Sequence, residues 1–200
     1  MADTIGKFRF RYGEVEAGLR APHEMALESR FVLVTDSCSL HSCTNIFEGG
    51  YPRIHIAEFT GLPRVDAANV QVRSVFGNYS DGDYLYRTVD LKGLSLFSGF
   101  HVYLVVWNSG SLTWFIDNET VFEITDQMAI AHNFTRLQPS TYTGTGISRR
   151  LWPGPAEFEI DYIVVRQENP HAEPDLLFFA DFTRMKMILQ SFFKITSFMD

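Results

Sequence analysis

Cysteine is almost missing from this chain: its 200 residues hold two, Cys38 and Cys43. So small a supply excludes a disulfide-dense scaffold and a four-cysteine metal centre. Both lie in "DSCSLHSC", separated by four residues. They form a small disulfide loop if the protein is extracellular, and two free thiols otherwise. His41 between them does not complete a closed zinc site, which takes four ligands. No metal and no cofactor is therefore expected. Long apolar runs are missing too. No segment reaches the roughly 18 continuous apolar residues that cross a bilayer, so no membrane span is expected. "MADTIGKFRF" lacks an apolar core before its charges, so no signal peptide is expected either. Basic excess is absent: 17 Lys and Arg stand against 24 Asp and Glu, a net charge of −7. That balance excludes the basic stripe of a nucleic-acid footprint. Long amphipathic helices before residue 170 and internal repeats are also lacking.

What remains is a globular composition, 46% hydrophobic and 14% aromatic. Such aromatic richness suits strands and surfaces that stack flat ligands. Short alternating runs recur between turn signals. In order they are "KFRFRYGEVEAGLRA", "ESRFVLVTD", "PRIHIAEF", "ANVQVRSVF", "YLYRTVDL", "FHVYLVVW", "LTWFID", "TVFEI", "QMAIAHNF" and "EFEIDYIVVRQ". "NSGS" joins two of them as a hairpin turn. "PSTYTGTGISRRLWPGPA" reads as a long loop. The pattern predicts an all-β chain, an antiparallel sandwich over residues 1–167. A linker, "ENPHAEP", covers 168–174. The apolar segment 175–200 packs on the sandwich or on a protein partner, or mediates self-association. Its first half, "DLLFFADF", suits a strand. Its second half places Met185, Ile188, Leu189, Phe192, Ile195 and Met199 at helical spacing. Sequons begin at Asn78, Asn118 and Asn133. Asn118, in "IDNET", suits an exposed hairpin tip. These features favour a secreted or a surface- or particle-associated protein, and the sequence names no compartment.

The runs also carry a resemblance. "RYGEVEAGLRAP", "FHVYLVVW", "LTWFIDN", "QMAIAHNF", "LWPG" and "FEIDYIVVRQ" follow one another as the motifs of glycoside hydrolase family 16 do, across roughly residues 8–167. That family contains laminarinases, lichenases and carrageenases. The resemblance implies a concanavalin-like jelly-roll sandwich whose concave sheet forms a sugar cleft. It also locates the catalytic strand at "GGYPRIHIAEF", where the family reads Trp-Pro-Glu-Ile-Asp-Ile-x-Glu. In a retaining mechanism the first acid attacks the anomeric carbon. The last protonates the leaving oxygen and then activates water, with the two carboxyl groups about 5–5.5 Å apart. Alternate strand residues share a face. A one-residue bulge lets the last acid, three positions on, keep that face.

Carried over, Glu58 falls on the acid/base position, Arg53 on the nucleophile and His55 on the middle acid. A guanidinium stays protonated and cannot act as a nucleophile. It also holds a neighbouring Glu ionised, the wrong state for a general acid. An ion-paired cluster of Arg53, His55 and Glu58 is the expected physical state. His101 and Asn133 match family residues near the sugar, although a glycan on Asn133 would block a cleft. Tyr51, Trp107, Trp114 and Trp152 are the aromatics available for stacking, with core packing the expected role of Trp107 and Trp114. The ligand-binding set is thus Tyr51, His55, Glu58, His101, Asn133 and Trp152. Family members usually open with a strand resembling Phe-x-Asp-x-Phe, and the similar phrase "LLFFADF" at 176–182 is expected either to fill that edge or to lend the strand to a neighbour. Three functions are open: a non-catalytic domain binding a β-linked polysaccharide, a structural or assembly block, or a retaining β-glucanase with Glu58 as acid/base.

Overall fold

The computed structural model describes residues 11–21, 27–34, 52–60, 69–75, 82–90, 96, 98–130, 136–143, 156–169, 174–181, 186–189 and 195–197. Thirteen strands and one helical turn are described. They are β1 (Gly13–Arg20), β2 (Leu27–Val34), β3 (Arg53–Thr60), β4 (Asn69–Val75), β5 (Tyr84–Asp90), β6 (His101–Trp107), β7 (Leu112–Ile116), β8 (Glu119–Ile124), α1 (Gln127–Ile130), β9 (Arg136–Thr143), β10 (Ala156–Gln167), β11 (Asp175–Asp181), β12 (Lys186–Leu189) and β13 (Ile195–Ser197). They make two antiparallel sheets. The larger runs β13-β12-β10-β1-β6-β7-β8, with β11 also paired to β10. The smaller runs β5-β4-β3-β2-β9. The expected all-β sandwich is what the chain forms.

Alternation puts one face of each strand into the space between the sheets. Val15, Ala17 and Leu19 of β1, Tyr103, Val105 and Trp107 of β6, and Phe31, Leu33, Ile54 and Val72 of the smaller sheet are all fully buried there. Phe59 of β3 joins the sheets. Its ring meets Tyr103 edge-on at 5.4 Å and Phe158 at 5.8 Å. Such contacts add about 0.5–1.5 kcal/mol beyond their buried area.

Turn chemistry holds the register. Asn108 Oδ1 accepts from the backbone N–H of Gly110 and of Ser111, both at 2.8 Å, which closes the "NSGS" hairpin. Asp117 and Asn118 both have positive φ, 49° and 68°, so β7 and β8 are joined by the primed turn that matches strand twist. At the "YG" step, Gly13 has φ 136°, and a Cβ there would lie 2.0 Å from the Arg166 carbonyl oxygen. Only glycine fits between β1 and β10 at that point.

Three segments differ from the sequence reading. "QMAI" forms α1, a single turn opened by Asp126 Oδ1 accepting from Met128 N–H at 2.8 Å. Its last carbonyls are taken by Trp107 Nε1–H (to Ile130, 3.0 Å) and Ser74 Oγ–H (to Ala129, 3.1 Å). Residues 139–143, the start of the expected loop, instead belong to strand β9, because β2 offers them an unpaired edge. Pro139 is tolerated there because β9 ends the sheet. Helical spacing after Met185 gives way to β12 and β13, since pairing with β10 supplies backbone partners that a short helix would not outweigh. β11 lies antiparallel on β10, with Val164 opposite Phe179. Leu177 and Phe178 pack on the core, while Leu176 and Phe179 point away and are about 60% exposed, at 61% and 59%.

Candidate functional site

The strand with the acid positions is β3, the centre of the smaller sheet. On one side it pairs Phe31 with Ala57 and then Val32 with His55, so Ile56 has no opposite number. On the other side His55 faces Arg73 and Glu58 faces Gln71, three residues against two. This is a one-residue bulge. Ile56 and Ala57 both serve the core, and Arg53, His55 and Glu58 share the opposite face. Trp114 of the larger sheet donates its indole N–H to the His55 carbonyl at 2.9 Å, which satisfies an acceptor beside the interrupted ladder.

Two arginines complete the group. Arg30 of β2 brings Nε 2.9 Å from Glu58 Oε1. Arg73 of β4 brings Nη2 2.5 Å from Oε2. His55 Nδ1 lies 3.0 Å from the same oxygen, and Arg53 Nε–H donates to His55 Nε2 at 3.1 Å. A guanidinium only donates, so Nε2 accepts and the ring proton belongs on Nδ1. All five side chains are buried, with Glu58 and His55 each 1% exposed. Burial pushes the Glu58 carboxyl up, but His55, Arg30 and Arg73 outweigh it and hold it at about 2. Burial pushes the His55 imidazole down to about 3, helped by Arg73 and Arg30 against the pull of Glu58. At neutral pH the site is an ionised Glu58 and a neutral His55 set among guanidinium groups.

β3 supplies one carboxyl group, and it is already ionised, whereas a general acid needs its proton. It is also closed to solvent. Among the described residues no group of three or more His, Cys, Asp or Glu could hold a metal ion, and no helix is long and apolar enough to cross a membrane.

Other predicted residues fall elsewhere. His101 stands on β6, in the other sheet, with Nδ1 2.6 Å from Asp117 Oδ2. Asp117 Oδ1 also accepts from Val102 N–H at 2.9 Å. Asn118 is exposed at the β7–β8 tip. Trp107 and Trp114 are fully buried. Tyr51, Asn78, Asn133, Trp152, Cys38 and Cys43 lie outside the described residues. The sequence reading missed Arg30 and Arg73, although each is a charge inside an apolar strand run. It also missed Tyr84 and Tyr86 of β5, whose ring centroids are 5.8 Å apart at 38°. Tyr86 is 53% exposed. Its period-two "YLY" pattern was the available signal.

Two facing antiparallel sheets, with a bulged central strand presenting the acid positions on the face away from the core, define a jelly-roll sandwich of the glucanase type. The family model of glycosyl hydrolases family 16 matches residues 2–164, and the chain belongs to that family. Among solved structures it is similar to the laminarinase catalytic domain of Thermotoga maritima, at 18% identity and TM-score 0.65, over 84% of this chain and 68% of that one. It is similar to a Bacillus licheniformis β-glucanase at 18% identity and TM-score 0.59, over 80% and 68%. A Bacteroides ovatus mixed-linkage glucan family 16 structure in complex with product aligns at 21% identity and TM-score 0.64, over 82% and 73%. At such identities the likeness is one of fold. No curated protein matches the sequence.

Proposed function

We infer that this is a non-catalytic member of family 16 that binds a β-linked polysaccharide. The observation carrying this reading is the identity and state of the three motif positions. Arg53 and His55 occupy two of them, and Glu58 in the third is buried, ionised and engaged by Arg30, Arg73 and His55. Losing a covalent nucleophile removes the two-step route. The glucan-product complex of the Bacteroides ovatus relative supports a β-glucan as the ligand class. The test is direct: the chain should bind laminarin or lichenan and hydrolyse neither. Cleavage of a β-glucan by the wild type, abolished in Glu58→Gln, would overturn it.

A building-block role is favoured by a different observation, the exposed Leu176 and Phe179 on β11. It predicts a stable oligomer that Leu176→Ser with Phe179→Ser dissociates, read by light scattering.

A further inference from the structure

We propose that Tyr84 and Tyr86 of β5 form the stacking platform on which the glycan is held, away from the strand that carries the acid positions. This rests on the glycan-binding reading above and adds the place of contact. The register puts both tyrosines on the face of the buried cluster. Tyr86 is opposite Arg73 and Tyr84 opposite Val75, while Arg73 is opposite His55 and Val75 opposite Arg53. Directly opposed residues in antiparallel strands share a face. Val89, of the other parity on β5, packs on the core, which fixes which way the tyrosines point.

Burial decides where a polymer could touch this face. His55 and Glu58 are 1% exposed, Arg53 8% and Arg73 9%, so no sugar rests on the cluster itself. Exposure rises at β5, the end of the sheet, where Tyr86 is 53% exposed and Thr88 beside it is also exposed. The two rings, 5.8 Å apart and tilted by 38°, offer a broad surface along the strand.

The chemistry of that surface selects a sugar. A pyranose presents an apolar C–H face and a rim of hydroxyls. Tyrosine presents an apolar ring face and a hydroxyl that both donates and accepts. The Thr88 hydroxyl adds a further partner on the same face. An extended β-linked chain laid along β5 would meet the two rings with successive residues. Two other exposed apolar side chains, Leu176 and Phe179, belong to the larger sheet and lack a polar edge. They therefore serve as the control.

The experiment is isothermal titration of the full chain with soluble laminarin and with lichenan. Wild type, Tyr86→Ala, Tyr86→Phe and Phe179→Ala are compared, each checked by its urea midpoint. Tyr86→Ala should weaken binding about tenfold, the scale of one lost ring stack. Tyr86→Phe keeps the ring and should stay close to wild type, as should Phe179→Ala. Wild-type binding that Tyr86→Ala and a Tyr84→Ala, Tyr86→Ala double variant leave unchanged would overturn the platform and spare the glycan-binding reading. Silence of the wild type toward both glucans would overturn that reading, and the platform with it.

Discussion

Glu58 and His55 have protonation states set by what surrounds them. An unfolded imidazole titrates near 6.5, whereas folded His55 takes its proton only near about 3. Between those values the unfolded chain binds more protons, so stability falls as pH drops. Glu58 adds a second loss between 4.5, its ordinary value, and about 2. Going from pH 7 to pH 5 should therefore cost about 2 kcal/mol through His55, at about 1.4 kcal/mol per pH unit below its unfolded value. Urea midpoints at the two pH values check this. His55→Gln keeps a polar group in place and should flatten the slope, and an equally steep slope in that variant would refute the assignment. The cluster is not explained by stability alone. Removing several ions from water costs several kcal/mol each, and apolar replacements of buried ion networks are often more stable. Truncating one partner, by contrast, leaves a buried charge uncompensated.

At the scale of elements, the bulge in β3 determines the site. If residues 55–58 paired regularly, with no bulge at Ile56, side-chain alternation would send Glu58 to the core face while His55 stayed on the opposite one. The bulge is held from across the sandwich by the indole of Trp114. Trp114→Phe keeps most of the volume and removes the donor. It should cost about 1–3 kcal/mol, the penalty of an unsatisfied buried acceptor, with the denaturant slope unchanged. A midpoint equal to that of wild type would show that the indole bond does not hold the bulge.

At the scale of the molecule, one sheet is completed by β11, β12 and β13. β11 and β12 both pair with β10, over 162–167 and 156–159 respectively. Ending the chain at Gln167 would bare that edge and uncover the core beneath Leu177 and Phe178. Two half-buried side chains are worth roughly 1.5–3 kcal/mol together, since full burial contributes about 1.5–3 kcal/mol each. The shortened chain should unfold at lower urea and associate through the open edge. Equal stability and an unchanged oligomeric state by light scattering would count against this.

Local chemistry was legible in the sequence. Period-two alternation located most of the strands, since the pleat sends neighbouring residues to opposite faces whatever the fold around them. Asn108 and the Asp117–Asn118 pair marked turns because their side chains suit those backbone angles. The resemblance to the family motif already implied that Arg53, His55 and Glu58 share a face across a bulge. Non-local pairing decided the rest. Only the register of β2 and β4 against β3 brings Arg30 and Arg73 onto Glu58. Only the stacking of two sheets places the Trp114 indole under the His55 carbonyl. Residues 136–143, 186–189 and 195–197 became strands because open edges were present to pair with, which no local period records. Burial of the cluster and exposure of Tyr86 were likewise undecided until the sheets were packed. A side chain's type and spacing are written along the chain, but its neighbours and its access to water belong to the assembled fold.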